Sequence, residues 1–160
     1  MAGFSSGADA APLPGARVLV VAAQFNEEIV ALLRQGALAA LEKTQAQAHL
    51  IEVPGALEIA VGMAIALDLA QEAGKPYDGA VALGCVIRGE TYHFEIVANE
   101  SARALSDLAL ARRLPLGNGI LTVENEKQAR VRADPALGDK GADAARAALA
   151  LIRLKRELEI

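Results

Sequence analysis

A single cysteine, Cys85, excludes an intrachain disulfide framework and any cysteine-rich zinc site, and two histidines are few for another kind of metal centre. Tryptophan is absent and aromatics make up only 3% of the 160 residues, so small aliphatic side chains must do the packing. Acidic residues outnumber basic ones, 20 to 16, and a net charge of −4 argues against a nucleic-acid scaffold, whose phosphate contacts need a basic face. No apolar run approaches the roughly 18 residues of a membrane span, because Glu58, Asp68 and Glu72 interrupt the longest candidate. Residues 1–15 lack the charged start and apolar centre of a signal peptide. The expected setting is soluble, reducing and cytoplasmic.

What the chain does have is apolar surface, 53% of its residues, enough for one domain with a sizeable core. Residues 1–15, rich in Ala, Gly, Ser and Pro, read as a flexible N-terminal arm, and 16–160 as a single domain. Val18 to Ala23 is a continuous apolar run, the pattern of a parallel strand covered on both faces. Asn26 can cap the helix that follows, with Glu27 and Glu28 in its first turn and Ile29, Leu32, Leu33, Leu38 and Leu41 at helical spacing. Further strands are expected at 47–53, Gly79 to Ile87 and Gly119 to Val123. Helices are expected over about 56–73, 91–114, 125–133 and 141–157. Alternation of this kind specifies βαβ units, hence a three-layer α/β/α sandwich on a mostly parallel four-stranded sheet.

In such a sheet the ligand crevice lies beyond the carboxyl ends of the strands. Four segments should converge there: Gln24-Phe25-Asn26, Pro54 to Glu58, Arg88 to His93, and Thr122 to Asn125. The richest is Gly84-Cys85-Val86-Ile87-Arg88-Gly89-Glu90-Thr91-Tyr92-His93-Phe94-Glu95, a buried strand leaving through a glycine into a helix. Backbone N–H groups and the positive helix end meet at such an exit and favour anions. A histidine in that first turn suits a proton acceptor or relay, against the plainer reading of a hydrogen-bonded surface residue. Phe25 could stack on a heterocycle or simply end a core strand. Glu58 could complement a helix dipole or accept ligand hydrogen bonds. Cys85 reads as a small buried hydrophobe rather than a nucleophile, and His49 as structural. Arg132 could grip a phosphate bidentately with Lys140 as a point charge, although composition alone reads both as parts of solvated helix ends.

Taken in order, Phe25-Asn26, Pro54-Gly55-Ala56-Leu57-Glu58-Ile59, the Gly84–Glu95 segment, Gly119 to Asn125 and Asp139-Lys140-Gly141 resemble the 6,7-dimethyl-8-ribityllumazine synthase family, from about Arg17 to the C-terminus. The resemblance implies a flavodoxin-like fold and a transferase-type condensing enzyme of riboflavin biosynthesis. Its substrates would be 5-amino-6-(D-ribitylamino)uracil and 3,4-dihydroxy-2-butanone 4-phosphate, joined with loss of phosphate and water and without metal or organic cofactor. It also implies that His93 transfers protons and that Arg132, with the Glu90-Thr91 backbone, binds phosphate, supported by Lys140. Phe25, Asn26, Ala56-Leu57-Glu58 and Cys85-Val86-Ile87 would serve the pyrimidine and ribityl site. Asn118 would reach that site from an adjacent subunit of a homopentamer, as would Arg132 and Lys140. Leu57 and Asn118 stand where aromatic rings are frequent in the family, which removes stacking surface. The competing reading is a non-catalytic flavin- or lumazine-binding or shell-forming relative, against which His93, Arg132 and Lys140 together argue.

Overall fold

The computed structural model describes residues 11–159. In chain order it contains β1 (Arg17–Ala23), α1 (Glu27–Lys43), β2 (Gln47–Val53), a 3₁₀ turn (Ala56–Glu58) and α2 (Ile59–Glu72). Then follow β3 (Gly79–Ile87), α3 (His93–Arg112), β4 (Leu116–Val123), α4 (Glu126–Ala133) and α5 (Lys140–Leu158). The four strands pair in parallel in the order β2-β1-β3-β4, so the expected α/β architecture stands.

Alternation along the two central strands sorts the core into two layers. Val18, Val20, Val81 and Leu83 face α1, α4 and α5, while Leu19, Val21, Ala80 and Ala82 face α2 and α3. Past Arg17, β1 is therefore apolar and buried at every step, as β3 is through Cys85, whereas edge strand β4 alternates buried with less buried positions. From β1 the chain winds outward to β2, then crosses back to β3 on the other side. The β1/β3 boundary is thus the topological switch point, where a crevice opens by construction.

Several local expectations need correction. Asn26 does occupy the N-cap position of α1, but in left-handed conformation (φ 61°) with no side-chain cap; its Nδ2 instead donates to the Cys85 carbonyl at 2.8 Å, bridging the switch point. The expected helix over 56–73 begins as a 3₁₀ turn and becomes α-helical only at Ile59. α3 starts at His93 rather than Thr91, and β4 starts three residues earlier than Gly119, because Leu116 pairs with Ala80. Most of the arm read over 1–15 lies outside the described residues. Within the described part, Leu13 is buried and its N–H donates to the Thr44 carbonyl at 2.7 Å.

Helix α5 sits close because two glycines let backbone touch backbone. A Cβ on Gly141 would come within 1.9 Å of the Leu33 carbonyl oxygen of α1, and one on Gly117 within 1.8 Å of the Ala144 oxygen. Neither neighbour can swing aside as a side chain would. Gly141→Ala is therefore expected to destabilise the fold by about 3 kcal/mol, the upper end of overpacking costs, as read by denaturant unfolding. A loss under about 0.5 kcal/mol, the scale of ordinary surface substitutions, would show that α1 and α5 do not meet here.

Candidate active site

All four expected segments meet at the carboxyl ends of the strands. The Gln24 and Phe25 N–H groups donate to the Val53 and Pro54 carbonyls at 2.8 and 3.1 Å, and the Arg88 N–H donates to the Val123 carbonyl at 2.9 Å. A cavity of about 310 Å³ opens between the first three of these segments, at the low end of the range for small-molecule sites. Its apolar wall comes from Ala23, Ala56, Cys85, Val86 and Val97, with Leu57 beside them and Phe25 standing exposed at the rim. Glu58 and His93 supply its polar ionisable side chains, beside the Cys85 thiol. The Glu58 carboxylate is placed by the 3₁₀ turn, whose Glu58 N–H donates to the Gly55 carbonyl at 3.1 Å. His93 is the first residue of α3, and its N–H donates to Thr91 Oγ1 at 3.3 Å.

The reading of Cys85 as an inert hydrophobe fits its surroundings. Burial pushes its thiol up to about 11, because the thiolate would lose its hydration. A folded value above the unfolded one means that the neutral thiol's contribution to stability is complete below the unfolded value. It is lost as pH climbs through about 11. Iodoacetamide at pH 8 is expected to label Cys85 only in denaturant; native labelling at the rate of a free thiol would contradict the burial.

A second cavity, of about 330 Å³, runs along the outer side of β4 against α4 and α5. Asn118, Arg132 and Lys140 line it, and it shares no lining residue with the first. Asn125 caps the short helix α4, its Oδ1 accepting the Gln128 N–H at 2.9 Å, while the Gln128 side chain accepts the Glu124 N–H at 2.8 Å. This fixes the helix that carries Arg132. Arg132 itself leans on its own helix, donating one Nη to the Gln128 carbonyl at 3.0 Å. Arg130, the other basic residue of that turn, is held by Glu28 and Glu126 at 2.6 and 3.0 Å. Asn118 folds its side-chain oxygen back onto the Ile120 N–H at 2.9 Å, satisfying a donor of the edge strand.

The sequence-derived set therefore divides. Phe25, Ala56, Leu57, Glu58, Cys85, Val86 and His93 line the first cavity; Asn118, Arg132 and Lys140 line the second. Asn26, Ile87, Glu90 and Thr91 line neither: Asn26 braces Cys85, Ile87 packs toward the α1 and α5 core, and Glu90 and Thr91 lie exposed in the β3–α3 connection.

Two groups escaped the sequence reading. Asp143, one turn beyond Lys140, accepts from Lys140 Nζ at 3.2 Å and from Arg146 at 3.1 Å, and lines the second cavity; the i, i+3 spacing was the available signal. Arg88 donates Nη1 to Glu95 at 2.5 Å and Nε to Glu124 at 2.7 Å, with its guanidinium 4.5 Å from the centre of the Phe94 ring. The hydrogen bond from Arg88 holds the Glu95 carboxyl below its usual range, and Glu95 and Glu124 raise the guanidinium in turn. Among the described residues no cluster of His, Cys, Asp and Glu is suited to a metal, and no helix is long and apolar enough to cross a membrane.

Fold and site together define a doubly wound α/β protein that offers a small-molecule crevice at its switch point and a separate cationic cavity at its sheet edge. The sequence model of the family described as 6,7-dimethyl-8-ribityllumazine synthase matches residues 15–156, and the chain belongs to that family. It is 63% identical to 6,7-dimethyl-8-ribityllumazine synthase of Methylocella silvestris, over 89% of this chain and 87% of the relative. It is 57% identical to 6,7-dimethyl-8-ribityllumazine synthase 1 of Rhodopseudomonas palustris, over 94% and 92% of the two chains. With the corresponding enzyme of Azorhizobium caulinodans the identity is 60%, over 91% and 90%.

Proposed function

We infer that the chain catalyses formation of 6,7-dimethyl-8-ribityllumazine, joining 5-amino-6-(D-ribitylamino)uracil to 3,4-dihydroxy-2-butanone 4-phosphate with release of phosphate and water. The observation that carries this reading is the first cavity, where His93 and Glu58 face an apolar wall at the switch point of a chain that matches the family from residue 15 to residue 156. Phe25 at the rim supports a planar heterocycle lying there, and Glu58 supports acceptance of hydroxyl hydrogen bonds from its polyol tail.

The chemistry makes a modest demand on the protein. An amine and a ketone combine to an imine without a protein nucleophile, so holding them together is worth roughly 7–11 kcal/mol in favourable cases. His93 serves as the proton carrier for imine formation and ring closure. Elimination of phosphate places charge on the departing group, which Arg132 and Lys140 meet electrostatically.

Those cations line a cavity that has no residue in common with the one holding His93, which supports a site completed by a second copy of the chain. Val61, Ile65 and Leu69 form an exposed apolar stripe along α2 that such an assembly would cover. A closed homopentamer satisfies both needs, since every chain then gives one face and receives the other. The assignment carries a cytoplasmic location with it. Mixing purified protein with both substrates and following the fluorescent product tests the assignment. A rate well above the protein-free reaction supports it. A rate equal to that background, with the pyrimidine still bound, leaves a binding protein instead.

A further inference from the structure

We propose that Arg88 is a positioning residue for this reaction: by joining Glu95 and Glu124 it closes segment 88–95 into a fixed loop that presents His93 and the Glu90-Thr91 turn to the phosphate-bearing substrate. The inference rests on the activity proposed above.

Segment 88–95 leaves β3, passes Gly89 and enters the first turn of α3. A connection of this kind is held mainly at its ends. At the first end the Arg88 N–H donates to the Val123 carbonyl at 2.9 Å, so the backbone of Arg88 is tied to β4. At the other end stands Glu95, and the Arg88 side chain reaches it at 2.5 Å. One residue thus pins both ends of the loop. Its Nε takes Glu124 at 2.7 Å, joining the exit of β4 to the same point, and the Phe94 ring lies under the guanidinium. A planar fork can satisfy two carboxylates and a ring face together; a lysine ammonium, a single point charge on a flexible stem, cannot.

Arg88 also acts on charge. Glu90, Glu95 and Glu124 lie in or beside the loop that the family resemblance assigns to the phosphate ester, and the single positive charge of Arg88, shared between Glu95 and Glu124, offsets one of the two charges that would otherwise repel it. Because these groups are exposed in the single chain, the benefit lies in geometry and local charge rather than in fold stability.

The test compares Arg88→Met, Arg88→Lys and the double variant Glu95→Gln/Glu124→Gln with the wild type. Steady-state kinetics are measured for each substrate, and binding of inorganic phosphate to the assembled proteins by calorimetry. Arg88→Met is expected to raise KM for the butanone phosphate about tenfold and lower kcat several-fold, with KM for the pyrimidine unchanged, since loss of alignment alone can cost on the order of 100-fold. Arg88→Lys should fall between. The double variant, which frees the loop but removes the repelling charges, should lower kcat while leaving phosphate binding near wild type. Lower kcat in Arg88→Met with both KM values unchanged would mean only a smaller folded fraction and would overturn the proposal. Wild-type kinetics would overturn it equally. If the wild type gives no product above background, the assigned activity fails, and the phosphate calorimetry still decides whether Arg88 shapes an anion-holding loop.

Discussion

Coexpression of two crippled variants is expected, at butanone phosphate concentrations well below the wild-type KM, to give more activity than the two variants show separately. His93→Ala strips the first cavity of its histidine and leaves the second intact; Arg132→Ala does the reverse. In the proposed ring each reaction site lies between the first cavity of one chain and the second cavity of its neighbour. A complete site then needs an Arg132→Ala chain giving His93 beside a His93→Ala chain giving Arg132, in one order only. Random mixing makes this roughly one junction in four, so the mixed assembly should show about a quarter of the wild-type rate per chain. The readout is product formation by the mixture against the sum of the two separately purified variants. A mixture no faster than that sum would mean that no site combines His93 of one chain with Arg132 of another, and would end the shared-site reading.

The parts of the molecule that the sequence made legible are those decided by short-range pattern. The run Val18 to Ala23 announces a strand covered on both sides, and it is buried throughout. Phe25, Glu58 and His93 were visible because polar or aromatic residues at strand exits stand out in an aliphatic chain, and the structure puts all three in one cavity. The misses are contacts that span sequence distance. Asn26 had a local use as a helix cap and took a remote one, the Cys85 carbonyl 59 positions away. Arg88 stood only as part of a convergent segment, with no role of its own, because its partners Glu95 and Glu124 lie 7 and 36 positions on. β4 looked shorter than it is because Gly117 has low strand propensity, yet that glycine is what lets α5 approach the sheet. The separation of Arg132 and Lys140 from His93 was carried by the family resemblance alone, since spacing along one chain does not tell which cavity a residue faces.

That separation also sets the second large effect. Arg132→Ala is expected to raise KM for the butanone phosphate by about 30-fold, the loss of a charge-assisted hydrogen-bond pair worth about 2 kcal/mol. Nothing in the first cavity depends on the Arg132 side chain, whose own hydrogen bond goes to Gln128, so KM for the pyrimidine should hold. His93→Ala should divide the other way. Removing a positioned proton carrier costs on the order of 100-fold or more in kcat. Turnover should nevertheless stay above the protein-free rate, because holding amine and ketone together survives the substitution. Both KM values should then stay near wild type. The pair of variants is informative because the same two parameters move oppositely: one variant weakens capture of the phosphate, the other slows the chemistry after capture. If both variants changed kcat and KM alike, the division of labour between a proton-handling cavity and an anion-holding one would be wrong. His93 and Arg132 would then have to act on the same step.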